Sequence, residues 1–93
     1  MSYKIRQYTL QRAMELGVFV RPSRDPKKKI DVLDKSKNLI ASIGQAGAMD
    51  YPSWIEKEGL SFANKRREAY HKRHAKNMSR VGTPGYYAGA LLW

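Results

Sequence analysis

The sequence predicts a small α+β domain, with a two- to three-stranded antiparallel sheet covered by helices, one of them long and basic. Three observations predict it. Lys28–Leu33 and Leu39–Ile43 are β-branched, alternating runs on either side of the turn-forming Asp34-Lys35-Ser36-Lys37-Asn38. Ser61–Arg80 holds no Pro or Gly and is rich in Ala, Lys, Arg and Glu, which favour helix. The whole chain has 93 residues and no Cys, so one modest core built by packing alone, spanning 1–93, is expected.

At the start of the chain, Tyr3–Gln7 is expected to be extended. Thr9 is the expected cap of a first helix whose apolar positions Leu10, Ala13 and Met14 lie at i, i+3 and i+4. Gly17 supplies a left-handed stop, and Val18–Arg21 has strand character before the two prolines, Pro22 and Pro26, that enforce a loop. In the second strand, Ile30 and Val32 share one face and Lys29 and Asp31 the other. The lysines at 27–29, 35 and 37 admit two readings, a cationic face or edge charges that deter strand pairing.

Gly44-Gln45-Ala46-Gly47 should end the sheet. Its GxxG spacing matches a phosphate-approaching loop, but it lacks a basic residue, and a plain strand-to-helix connection is the better reading. Asp50 caps a short helix with Pro52 in its first turn and Tyr51, Trp54 and Ile55 along one edge, ending before Gly59. Trp54 is expected in the core rather than as a platform for a stacked base. Thr83 and Pro84 are expected as N-cap and first residue of a final segment, Gly85–Trp93, which is apolar enough to fold back on the core. The expected core is Leu10, Met14, Phe19, Ile30, Val32, Leu39, Ile43, Trp54, Ile55, Phe62 and Tyr70.

Charge points to function. The net charge is +10, and cations concentrate in two blocks, residues 21–37 and 61–80, flanking a slightly acidic middle. Within Phe62–Met78, capped by Ser61, three stripes are expected. Phe62, Ala69 and Tyr70 are interrupted by Arg66 and Arg73; Lys65, Lys72 and Lys76 form a purely cationic stripe; Arg67, His71 and His74 form the third. Such a helix suits a polyanion, whose phosphates Lys65, Arg66, Arg67, Lys72, Arg73 and Lys76 would contact, with His71 and His74 facing phosphate or solvent and Lys27, Lys28 and Lys29 extending the footprint. Its only amides, Asn64 and Asn77, are about 20 Å apart, too far to read neighbouring base pairs, so weak sequence discrimination is expected.

Neither a catalytic nor a metal site is expected, and no cofactor. Glu68, His71 and His74 are spaced i, i+3, i+6, but the surrounding cations would repel Zn²⁺. Asp31, Asp34 and Asp50 show no nuclease spacing, and so short a chain struggles to enclose a small-molecule substrate pocket. The uncharged stretches are too short to span a bilayer, and no apolar signal core follows Met1, so neither a membrane partner nor secretion is expected.

The segments KKKIDVLDKSKNLIASIG, MDYPSWI, ANKRREAYHKRHAKN and GTPGYYAGALLW together resemble a family of small basic proteins of unassigned function from large double-stranded DNA viruses of the chlorella-virus and mimivirus type. The resemblance covers the chain from about Tyr8 onward. It implies a viral origin, a location in the virion or in the host nucleus or cytoplasm, and a DNA-rich or capsid-rich setting; it transfers no catalytic residue. Two functions follow: a non-enzymatic nucleic-acid binder, with DNA favoured over RNA, or a small virion structural or adaptor protein. In the latter the basic helix packs on acidic coat or scaffold surfaces while Tyr86, Tyr87, Leu92 and Trp93 insert into a neighbour.

Overall fold

Alternation and turn chemistry in 19–45 produce a three-stranded antiparallel sheet in the order β1-β2-β3, with β1 at Phe19–Pro22, β2 at Lys28–Leu33 and β3 at Leu39–Gln45. The computed structural model describes residues 3–93, and its strands and four helices make an α+β architecture. The helices are α1 (Gln7–Leu16), α2 (Tyr51–Glu58), α3 (Leu60–Met78) and α4 (Pro84–Leu92). The chain divides into two compact units, Met1–Ala48 and Met49–Trp93.

In the first unit, α1 stops at Gly17, whose φ of 72° is left-handed, and Val18 N–H donates to the Ala13 carbonyl at 3.0 Å. The β2–β3 hairpin closes on Asp34, whose Oδ1 accepts from the N–H groups of Ser36 and Asn38, both at 2.9 Å, while Lys37 takes the left-handed φ of 66°. Val32 pairs with Ala41 and Leu33 with Leu39, so Ile40 is an extra residue that bulges β3. Ile30, Val32, Ala41 and Ile43 form a buried apolar patch on one face. The opposite face of β2 is buried too: Lys29 is 5% exposed, with its ammonium 5.3 Å from the Tyr3 ring centre, and Asp31 is 2% exposed.

Several expectations for this unit change. The helix begins two residues before Thr9, with Arg6 at the cap position and no side-chain cap bond; Thr9 is buried instead. Thr9, Ala13 and Leu16, at i, i+4 and i+7, make the inward side, because small residues and a hydrogen-bonded hydroxyl permit close approach. Leu10 and Met14, rotated off that side, are exposed, Met14 at 81%. Phe19 and Leu39 are exposed at the two outer strands, where only one neighbour covers them. The sheet does not end at Gly44 but continues to Gln45, which pairs with Lys28.

In the second unit α2 and α3 meet at Gly59, which serves as C-cap of one and N-cap of the other. Its N–H donates to Ile55 and its carbonyl accepts from Ala63. A φ of 89° with ψ of 170° suits only glycine, and it starts α3 at Leu60, so Ser61 is the second helical residue, not the cap. Asp50 caps α2, accepting from Ser53 N–H at 2.9 Å, and Thr83 caps α4, accepting from Tyr86 N–H at 3.3 Å. Close approach of α4 to the end of α3 depends on Gly85 and Gly89: a Cβ at 85 would lie 2.9 Å from Asn77 Cβ, and one at 89 would lie 2.6 Å from Met78 Cγ. Leu91 and Leu92 are buried and Phe62 is exposed, although its ring centre is 5.1 Å from that of Trp54.

Candidate nucleic-acid interface

α3 sorts its cations by face. Advancing about 100° per residue, Ala63, Arg67, Tyr70, His71, His74 and Met78 fall on one side, and all are buried or half-buried. Lys65, Lys72 and Lys76 lie opposite and are exposed, with Arg66 and Arg73 exposed along one flank. Among the described residues no carboxylate pairs with any of these five cations.

The stripe of Arg67, His71 and His74, expected to face phosphate or solvent, is therefore the docking side. The Arg67 guanidinium lies 4.9 Å over the Tyr51 ring, and its Nε donates to the Trp93 carbonyl. His71 lies against the backbone of Trp93, and among the described residues its Nε2 is buried without a hydrogen-bond partner. Its pKa lies below 6.5 because burial disfavours the imidazolium and Arg67 repels it, against the opposing influence of the Trp93 backbone. His74 stacks on Tyr70 at 4.2 Å, and the other stacking partner of Tyr70 is Trp93, at 4.5 Å and 7°. Burial raises the Tyr70 pKa, with Arg73 opposing it. An arginine that holds a backbone carbonyl and a ring is not placed for phosphate.

Other predicted site residues separate in the same way. Lys27 and Lys28, in the first unit, are exposed beside Gln45 and Ala46 around an open cleft, but Lys29 is buried under Tyr3 and leaves the candidate footprint. Leu92, at 1% exposure, has no surface to insert into a neighbour. Trp93 is half-buried against Tyr70, and Tyr86 and Tyr87 are half-buried with their rings edge to face at 5.2 Å. The final segment folds back, as its apolarity predicts.

Two features of the structure lie outside what the residue pattern predicts. Asp31 on β2 binds neighbours across the sheet: it accepts from Ser23 Oγ at 2.6 Å, Ser42 Oγ at 2.8 Å, Arg24 N–H at 3.2 Å and Arg21 Nε at 3.2 Å. Burial raises its pKa, but these four donors together outweigh burial and hold it at about 2. The second is a cleft of about 260 Å³ lined by Met49, Trp54, Arg66, Ala69, Arg73 and Trp93. Its sequence signal was the pair of arginines interrupting the Phe62–Ala69–Tyr70 stripe; the approach of Trp93 had none. No family model matches this sequence, and comparison with curated proteins and with solved structures finds no similar one.

Proposed function

We propose that the chain is a non-enzymatic nucleic-acid binder with little sequence discrimination, whose main contact is the outward side of α3. The observation that carries this reading is the exposure of Lys65, Arg66, Lys72, Arg73 and Lys76 along one helix with, among the described residues, no carboxylate paired to them. Lysines over-represented on one solvated side attract a polyanion by releasing its counterions, which needs no base contact. DNA is the favoured polymer, and a large DNA virus the favoured setting, on the resemblance of the four segments.

The test is affinity for random duplex across ~50 to ~200 mM salt. If about five phosphates are neutralised, log affinity should fall with log salt with a slope of about −4 to −5. A slope near zero would remove phosphate contact as the role of α3. Selection from random duplexes should return no strongly enriched motif.

A second reading, a virion structural or adaptor protein, has its own supporting observation. Leu10, Met14, Phe19 and Leu39 are exposed, and Met14, Gly17, Val18, Phe19 and Lys35 line a cleft of about 360 Å³ on the first unit. On this reading duplex binding is weak and the protein sediments with capsid.

A further inference from the structure

The cleft beside α3 differs from the lysine stripe in offering flat apolar surface as well as charge. Trp54 from α2 and Trp93 after α4 contribute indole rings, Ala69 contributes only a methyl group, and Arg66 and Arg73 bring two guanidinium groups. The arginines are seven residues apart, about 10 Å along the helix, with Ala69 between them. Arg66 lies 4.9 Å over the Trp54 ring, a cation–π contact that keeps its guanidinium against an aromatic surface. Tyr70, which does not line the cleft, stacks on Trp93 at 4.5 Å and 7°. At about 260 Å³ the space is below the ~300–1,000 Å³ of a drug-sized pocket and admits one flat group.

We infer that this cleft takes one unpaired nucleobase of a single strand, stacked against the Trp54–Arg66 and Trp93 surfaces, with its flanking phosphates on Arg66 and Arg73. Inside a duplex the base faces are covered by neighbouring bases, so a paired strand can use the arginines but not the rings. Single-stranded nucleic acid uses both. Any base has a π-face, so the site favours single strands without favouring a sequence. This inference rests on the nucleic-acid reading and adds the form of the polymer.

Trp54 and Trp93 are the two tryptophans of the chain, so intrinsic fluorescence reports on the cleft without a label. The experiment titrates the intact protein with a thymidine oligonucleotide, with a duplex of equal length and with inorganic polyphosphate at one salt concentration, for the wild type and for Ala69→Leu, which fills the cleft. Folding of the variant is checked by circular dichroism. The single strand should quench the tryptophans and bind about tenfold tighter than the duplex. Ala69→Leu should bring single-strand affinity down to that of the duplex and leave duplex affinity unchanged.

Equal affinity for the two forms with no quenching would overturn the cleft while leaving the nucleic-acid reading intact. Quenching by polyphosphate equal to that by the oligonucleotide would also overturn it, since only charge would then be recognised. Absence of binding to any of the three would overturn both. Should Ala69→Leu fail to fold, wild-type quenching and the single-strand to duplex ratio decide the matter.

Discussion

In each half of the chain a charged side chain is drawn wholly or partly out of water, and the means differ between Asp31 and Arg67. In the first unit Asp31 sits on a central strand and is satisfied by side chains and a backbone N–H from its two neighbours in the sheet and the adjoining loop. In the second, Arg67 sits on a helix and is satisfied by a ring and the Trp93 carbonyl. A sheet brings hydroxyls to a carboxylate from an adjoining loop 8 residues away and from a strand 11 residues away. A helix lacks such cross-strand donors and acceptors, so the chain end, 26 residues on, comes back to the cation. Burying a charge thus ties together whatever elements supply its partners.

The largest expected effect is at Asp31. Asp31→Ala leaves two hydroxyls, an N–H and Arg21 without their acceptor, and should cost about 3 kcal/mol in urea unfolding. Because the folded pKa of about 2 lies below the ordinary 3.8, the native state holds the carboxylate more strongly than the unfolded chain does. That difference, about 2 kcal/mol, is present above pH 3.8 and is lost as pH falls through about 2. An Asp31→Asn protein should show a flatter acid limb; an unchanged limb would mean the four donors do not act on the carboxylate.

Next comes Arg67→Met, which keeps the apolar stem and removes the guanidinium. It should lower stability by about 2 kcal/mol while leaving nucleic-acid affinity of the folded protein unchanged. A loss of affinity matching that of Lys72→Ala would break the contrast between the two sides of α3. Gly89→Ala, weighing contact with Met78 against improved helix propensity, should cost about 1 kcal/mol by thermal unfolding.

His71 gives a smaller, pH-dependent effect. Its folded pKa is below 6.5, so protons bind the unfolded chain more strongly. Its contribution is present above pH 6.5 and is lost as pH falls through the folded value; His71→Asn should remove that slope, and an identical slope would assign it to another group. The smallest stability change is expected for Lys72→Ala, within about 0.5 kcal/mol, accompanied by a shallower salt slope by about one. A Lys72→Ala protein with an unchanged slope would remove this lysine from the footprint.

What the sequence determined by itself was local. The hairpin around Asp34, the stop at Gly17 and the caps Asp50 and Thr83 all follow from side chains that bond backbone within a few residues, or from a glycine that alone tolerates its φ. The alternation placing Ile30, Val32 and Ile43 in the core was legible for the same reason.

Only tertiary structure decided which side of each helix is inward. Leu10 and Met14 lost that place to Thr9 and Ala13, and Phe62 to Ala63, because close packing rewards shape and a satisfied hydroxyl as much as apolarity. The same competition turned Arg67 and His71 inward, buried Lys29 beneath Tyr3 and left Lys65, Lys72 and Lys76 outside. The partners of Arg67, His71 and Lys29 include Trp93, far along the chain, and Tyr3, from a segment without regular structure. No periodicity within α3 or β2 encodes a contact made by Tyr3 or Trp93, so the side of α3 left in solvent is decided only when those residues are in place.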